Sequence, residues 1–307
     1  MTFKTFSRKI RTLLNNPRVL LLKGWHGFEP FVSDEIFLSV LFRLKVGYWP
    51  NLKNPQSYNE KLQWLKLNYR RAEYTEMVDK VAAKEYVARI VGSEYIIPTI
   101  GIWDNINDIE WERLPNRFVI KASHDSGGVV VCKDKSKLNI EETVALLSGT
   151  GKRDYTKYNK EYAYHDVPHR YIAEEYMEDE SGFELKDYKI FCFNGTPEFL
   201  FVATGRQQHD TRFDFYDLEF NHLPVKNGHP NADLWPVKPE NFEEMLMVAE
   251  KLAKGLPHVR VDLYNINGKI YFGELTFFHF SGLTAFTPVE WDYRFGEYMT
   301  LPTTEQV

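Results

Sequence analysis

Residues 117–133, RFVIKASHDSGGVVVCK, run from an apolar stretch ending in Lys121 through a small polar loop with Gly127 and Gly128 to a second apolar stretch, Val129 to Cys132. That order reads as a strand, a loop and a returning strand. Glycines beside Ser123 and Ser126 let backbone amides approach an anion closely, and Lys121 at the root of the loop adds a point charge, which suits a polyphosphate. The same residues also fit a plain hairpin with an exposed lysine. What accompanies them decides between the two.

The 307 residues, 43% hydrophobic and 26% charged, suffice for one large domain or about two ordinary ones. A net charge of -5 argues against general nucleic-acid binding, which needs a basic surface to displace counterions from phosphates. Cys132 and Cys192 each sit in an apolar run, as expected of buried thiols rather than of a disulfide or metal ligands, and the expected compartment is a reducing cytoplasm. No apolar run approaches the roughly 20 residues that span a bilayer, and residues 19–22 are too short for a signal-peptide core, so a soluble chain is expected.

From the N-terminus, Phe3, Phe6, Ile10, Leu13 and Leu14 fall at helical spacing with Lys4, Arg8, Lys9 and Arg11 among them, and no acidic residue precedes Glu29. This predicts a basic amphipathic helix, either packed on its own domain or lying on an anionic membrane face. Ser33 followed by Asp34 and Glu35 predicts a capped helix, and NEKLQWLKLNYR and TEMVDKVAAKEYVARIVG predict two more, making a helical preface. From Tyr95 the pattern changes to short apolar runs separated by turns. SGTGKRD lacks the spacing of a phosphate loop of the Walker type, and Arg153 stands where a magnesium-binding hydroxyl belongs. Residues 155–170 are polar and aromatic without a period and read as a surface loop; Pro168 between His165 and His169 argues against a zinc site.

Strands resume with RYIAEEYM and DYKIFCFNGTPEFLFVATGR, where Asn194-Gly195 is a strong hairpin signal, and HVRVDLYNINGKIYFGEL predicts a second hairpin at Asn267-Gly268. Its two arms carry Asp262 and Glu274 among apolar residues. Carboxylates half-buried in strands are costly unless paired or bound to a cation, so a shared magnesium ion competes here with a solvent-facing pair. Strands, helix, strands, helix and hairpin in this order predict an α+β fold with helices segregated from mixed sheets.

Asp79-Lys80, VIKAS with its glycine loop, IAEEYM, VDLY and GEL occur in the order of the ATP-grasp fold. More specifically, NPQSYNEKLQWLKL, the VDK tract, FVIKASHDSGG, DYKIFCFNG and GELTF resemble the TupA-like ATP-grasp family, associated with teichuronopeptide and other cell-surface polysaccharide synthesis, over roughly residues 40–300. The resemblance implies a helical N-terminal region (1–75) and an ATP-grasp domain (76–300), whose two α+β subdomains, 76–175 and 176–300, grip ATP. It implies that Lys80 and Lys121 hold the nucleotide phosphates under a loop of Ser126, Gly127 and Gly128, with Lys84 merely solvated. Backbone at an edge strand through Glu174, Glu175, Tyr176 and Met177 would pair with adenine, and Asp187 would take the ribose hydroxyls, with Lys189 on the same strand face.

Asp262 and Glu274 would hold Mg2+; Thr276 departs from an asparagine common at that position, which puts a second metal in doubt. Arg260, Lys189, His279 and Ser281 would serve the acceptor and the transferring phosphoryl group. The implied activity is an ATP-dependent carboxylate-amine ligase working through an acyl phosphate, joining an amine co-substrate to a carboxylate-bearing sugar of a cell-surface glycan. The alternatives are a glycan phosphotransferase or a glycosyltransferase of the same pathway; for the latter no D-x-D motif is present. No nucleic-acid partner is expected. The location would be cytoplasmic, with peripheral membrane contact through the basic N-terminal helix.

Overall fold

The computed structural model describes residues 17–123, 128–149, 155–182, 184–206 and 210–303. The basic helix expected over residues 3–14 lies outside them, as do Ser126 and Gly127. Ser33 accepts from the Ile36 amide at 3.3 Å, and Ser57 and Glu60 form a reciprocal capping box. These caps start two of the five early helices: α1 (Pro17–His26), α2 (Asp34–Lys45), α3 (Tyr58–Asn68), α4 (Glu73–Val78) and α5 (Ala82–Val91).

Two sheets follow. The first holds β1 (Thr99–Trp103), β2 (Phe118–Ala122), β3 (Val129–Cys132) and β4 (Tyr171–Glu175), antiparallel in the order β1-β4-β2-β3. Between β3 and β4 run α6 (Ile140–Gly149) and α7 (Tyr155–Asn159). Strand alternation puts Phe118, Ile120, Cys132 and Ala173 on one face, packed with Ile106, Leu114 and Leu147. The opposite face presents Val119, Lys121, Val129, Val131 and Glu174, which are register partners. The strand IAEEYM was expected at a sheet edge. β4 is instead interior, paired with β1 on one side and β2 on the other.

The second sheet has six strands in the order β11-β10-β5-β6-β7-β8. They are β5 (Asp187–Phe193), β6 (Thr196–Thr204), β7 (Arg212–Tyr216), β8 (His222–Leu223), β10 (His258–Ile266) and β11 (Lys269–Thr276). The β5–β6 and β10–β11 turns are the two Asn-Gly pairs, with φ of 50° and 88° at Asn194-Gly195 and 52° and 80° at Asn267-Gly268. Positive φ at both central residues matches the right-handed twist of the strands, and Asn-Gly tolerates it best. Helix α8 (Phe242–Ala253) covers one face, bringing the Ala249 carbonyl within 3.9 Å of Cys192 Sγ. A short pair, β9 (Lys226–Asn227) with β12 (Phe286–Thr287), and helix α9 (Glu290–Tyr298) complete the chain.

On the face of β5 away from α8, the strand's period of two lines up Asp187, Lys189, Phe191 and Phe193. Phe191 and Phe193 meet Tyr58 of α3 edge-on, each at 6.0 Å, and Phe199 stacks on Phe295 of α9 at 4.5 Å. Aromatic packing thus fills one end of this face and charge occupies the other. Helix α3 is unusual in burying polar residues as well: Ser57 at its cap, then Asn59, Glu60, Gln63 and Lys66. Each has a partner. Asp292 of α9 accepts from the Asn59 amide at 2.9 Å and from its Nδ2 at 3.0 Å, and Lys61 Nζ donates to the carbonyls of Gly296 and Met299 at 2.8 and 2.7 Å.

Residues 155–170, expected as a polar surface loop, are a correction. After α7, Lys160 and Glu161 are buried, and Ala163 and Val167 join the main core. Their polarity is satisfied internally: Lys160 pairs with Glu29 and Asp34, and Glu161 accepts from Ser281.

The approach of α9 to the start of α3 depends on Gly296, where a Cβ would lie 2.1 Å from the Gln56 carbonyl oxygen. Gly296→Ala is expected to cost about 2 kcal/mol, the scale of overpacking a close contact, read as a lowered urea midpoint with unchanged slope.

Candidate active site

Lys80 links the charged residues of the two sheets. At the end of β2, Lys80 Nζ donates to the Ser123 carbonyl at 3.3 Å, and its charge also helps to lower the Glu274 carboxyl on β11. On the first sheet, Glu174 is buried between Lys121 and Lys84. Burial alone would raise its pKa; the two lysines outweigh burial and hold it low. Lys84, expected to be solvated, is instead half of a buried ion pair. Pairing of β4 ends at Glu175, whose amide donates to the Pro98 carbonyl at 3.1 Å. Of the backbone segment expected to contact adenine, only Tyr176 and Met177 lie past the sheet. Gly128, the described part of the loop, accepts from the Ala122 amide at 2.8 Å.

On the second sheet, register places Asp262 of β10 opposite Glu274 of β11 and opposite Lys189 of β5. Arg260 donates through Nε and Nη2 to the two Asp262 oxygens, both at 2.7 Å, and through Nη2 to Glu274 Oε1 at 3.2 Å and Thr276 Oγ1 at 3.0 Å. Lys189 bridges Asp262 and Asp187, the latter at 2.8 Å, and Arg206 pairs with Asp187 at 3.0 Å. Burial raises the Asp262 carboxyl against the opposing pull of Arg260 and Lys189. At the half-exposed Glu274 the balance reverses: burial is outweighed by Lys189 and Arg260, which hold it well below the usual carboxylate range.

His279 fixes the far side of Arg260. A guanidinium only donates, so His279 Nδ1, 2.6 Å from Arg260 Nη1, is the acceptor. Nε2 then carries the proton and donates to Asn227 Oδ1 at 2.9 Å. Burial and the neighbouring cations Arg260 and Lys189 push its pKa far down, keeping it neutral. Both ring nitrogens are engaged, so His279 positions Arg260.

Ser281 follows in a turn with φ of 45° at Phe280 and 62° at Ser281, a left-handed conformation that costs free energy in residues with a side chain. The turn is held from α3 and from the corrected segment. Lys66 Nζ donates to the Ser281 carbonyl and hydroxyl at 2.6 and 2.7 Å, Gln63 Nε2 donates to the carbonyls of Ser281 and Gly282 at 3.0 and 2.8 Å, and the Ser281 hydroxyl donates to Glu161. Ser281 is therefore a buried brace, whereas the sequence suggested a substrate-facing hydroxyl.

Lys66, Gln63 and Glu161 went unrecognised in the sequence. Asn59, Gln63 and Lys66, spaced by four and three, do form a stripe on one helix face, but such a stripe ordinarily faces water.

The residues fit a nucleotide and a divalent cation. Asp187 Oδ1 is buried without a hydrogen-bond partner among the described residues, as a position awaiting a hydroxyl donor would be. Asp262 and Glu274 offer hard oxygen ligands side by side. Mg2+ takes one or two carboxylates and completes its shell with phosphate oxygens and water, which an adjacent carboxylate pair suits.

A family model described as TupA-like ATPgrasp matches residues 60–300. The chain belongs to this family. Its two antiparallel sheets are thus those of the ATP-grasp fold. No curated protein matches it significantly.

Among solved structures, D-alanine--D-alanine ligase from Bacillus anthracis complexed with ATP is 14% identical, with a TM-score of 0.38 over 65% of this chain and 53% of that one. The Helicobacter pylori D-alanine-D-alanine ligase is 14% identical, with a TM-score of 0.40 over 73% and 61%. D-alanyl-alanine synthetase A from Vibrio cholerae is 12% identical, with a TM-score of 0.42 over 75% and 63%. The chain thus spans less than two thirds of each of these structures.

Removing the Lys66 ammonium leaves Glu161 buried with less compensation. Lys66→Met should cost about 3 kcal/mol, and adding Glu161→Gln should recover part of the loss, because the pair and not either residue is what the fold requires. A double-mutant cycle by urea unfolding checks this; simple additivity contradicts it.

Proposed function

We propose that this ATP-grasp enzyme is a carboxylate-amine ligase. It activates a carboxylate as an acyl phosphate with ATP and joins it to an amine, the carboxylate belonging to a uronic acid of a bacterial cell-surface polysaccharide. The supporting observation is the in-register pair Asp262 and Glu274, tied to Arg260 and Lys189, with Lys80 near enough to help lower the Glu274 carboxyl. Family membership supports the ATP chemistry; the association of TupA-like proteins with surface polysaccharides supports the acceptor class. We propose residues 76–175 and 176–300 as the two gripping halves behind a helical preface, and the inner face of the membrane, where lipid-linked glycans are assembled, as the place of work.

In this reading Lys80 and Lys121 hold the nucleotide phosphates, Tyr176 and Met177 offer backbone groups to the base, and Asp187 accepts from the ribose. Asp262 and Glu274 hold Mg2+, which when bound neutralises phosphate charge. Lys189 and Arg260 keep a positive field where charge collects as the γ-phosphoryl group moves from ATP to the carboxylate. Arg260 is pre-oriented by Asp262 on one side and His279 on the other, so little reorganisation is needed when that charge appears. The amine then attacks the acyl carbon and phosphate departs.

Lys121→Ala should weaken ATP binding about tenfold or more in calorimetric titration while leaving the fold intact, since it removes a direct phosphate contact. Unchanged affinity would remove Lys121 from the nucleotide site.

Glu274→Gln and Asp262→Asn should bind ATP yet turn it over about 100-fold or more slowly, because much of the affinity comes from base and ribose whereas the transferring phosphoryl group needs the cation. The measurement is ADP release with ATP, Mg2+, uronic acids and amines, with product mass to tell an amide from a phosphorylated sugar. Full activity in Glu274→Gln would refute the assignment.

A further inference from the structure

Helix α1 is apolar on both sides. Inward, Trp25 stacks on Phe37 with ring centroids 6.0 Å apart and donates from Nε1 to the Phe37 carbonyl at 3.1 Å, and Leu22 packs beside it. Outward lie Leu20, Leu21, Gly24, Gly27 and Phe28, and the turn that follows carries Phe31. Leu21 is 58% exposed, Phe28 56% and Phe31 81%, in a segment short enough for these side chains to share one surface. A surface helix ordinarily turns a polar face to water, and apolar side chains grouped this way mark a surface with a partner.

Charge identifies the partner. The first 28 residues hold Lys4, Arg8, Lys9, Arg11, Arg18 and Lys23 and no acidic residue, in a chain whose net charge is -5. Of the acids that follow, Glu29 and Asp34 both pair with the buried Lys160, and Asp34 also accepts from Arg70 at 2.9 Å, while Glu35 is exposed. Those pairs also tie the segment to the body of the protein, so the apolar side chains are displayed on a fixed base. Among the described residues no helix is long and apolar enough to cross a membrane. Exposed apolar side chains in a stretch of sequence with excess positive charge, on an element that does not span, are the composition of an interfacial contact with anionic lipid.

We propose that the outer face of α1 and the turn after it, with Leu20, Leu21, Phe28 and Phe31, docks on an anionic bilayer, the side chains entering the headgroup region. This deepens the proposed placement at the membrane and is independent of the ligase chemistry. It also assigns a surface to the contact: the apolar residues of α1 insert, and the basic residues supply attraction.

The test is co-sedimentation of the full-length protein with phosphatidylcholine vesicles, with and without a quarter phosphatidylglycerol, comparing wild type with Leu21→Glu/Phe31→Glu. Both substitutions fall on exposed positions outside the candidate active site, and calorimetric ATP affinity, measured in parallel, should not change. Wild type should bind the anionic vesicles at least about tenfold more than neutral ones, and the double variant should lose about tenfold or more of that binding.

Equal binding by wild type and variant overturns the proposal. So does failure of the wild type to bind, with two informative forms. If removing residues 1–16 then allows binding, the chain's own N-terminus covers this face. If the wild type elutes as a dimer that the variant breaks, the face is a self-interface. In each of these cases an intact ATP titration leaves the ligase reading standing.

Discussion

Six charges on one sheet face set the terms for this structure. Asp187, Asp262 and Glu274 lie among Lys189, Arg206 and Arg260, each within ion-pair distance of an opposite charge. The four buried members, Asp187, Lys189, Arg260 and Asp262, are tolerable only while each keeps its partners, because an unpaired buried ion costs several kcal/mol. The strand register supplies the partners: Lys189, Asp262 and Glu274 form one row across β5, β10 and β11. A slip of one residue would turn that row to the opposite face. The aromatic layer at the other end of the same face, locked by Tyr58, Phe191 and Phe193, opposes such a slip.

The helical preface is part of this device. Helix α3 sits between the aromatic layer and the strained turn after β11, and its polar residues bind both sides: α9 through Asn59 at the Asp292 carboxylate and Lys61 at backbone carbonyls, the turn through Gln63 and Lys66 at backbone carbonyls. The left-handed conformation at Phe280 and Ser281 persists because these donors take up its carbonyl groups. His279, one residue earlier, is thereby aimed at Arg260. A helix far away in the chain thus controls the orientation of the guanidinium.

Much of this was legible in the sequence. The two Asn-Gly turns, the Ser33 cap, the strand-loop-strand around Lys121 and the facing Asp262 and Glu274 are local signals, and period-two alternation was enough to read them. What was hidden is nonlocal. That β4 lies inside its sheet depends on β1 pairing with it, a matter of strand order that β4's own residues do not encode. Lys84 looked solvated because its partner Glu174 lies ninety residues on. Residues 155–170 looked like a loop because Lys160 and Glu161 are polar, and their burial is licensed by Glu29, Asp34, Lys66 and Ser281, none of them neighbours in the chain. A polar residue's environment is set by its partner, and a single sequence does not print the partner.

The two core histidines carry a consequence for proton traffic. His279 spends both ring nitrogens on Arg260 and Asn227. His258 does the same: its Nδ1–H donates to the Cys192 carbonyl at 2.9 Å and its Nε2 accepts from the Tyr58 hydroxyl at 2.9 Å, with burial pushing its pKa down to about 3. Neither ring has a lone pair to lend. In the proposed chemistry, the proton shed by an attacking amine therefore goes to neither of these two rings.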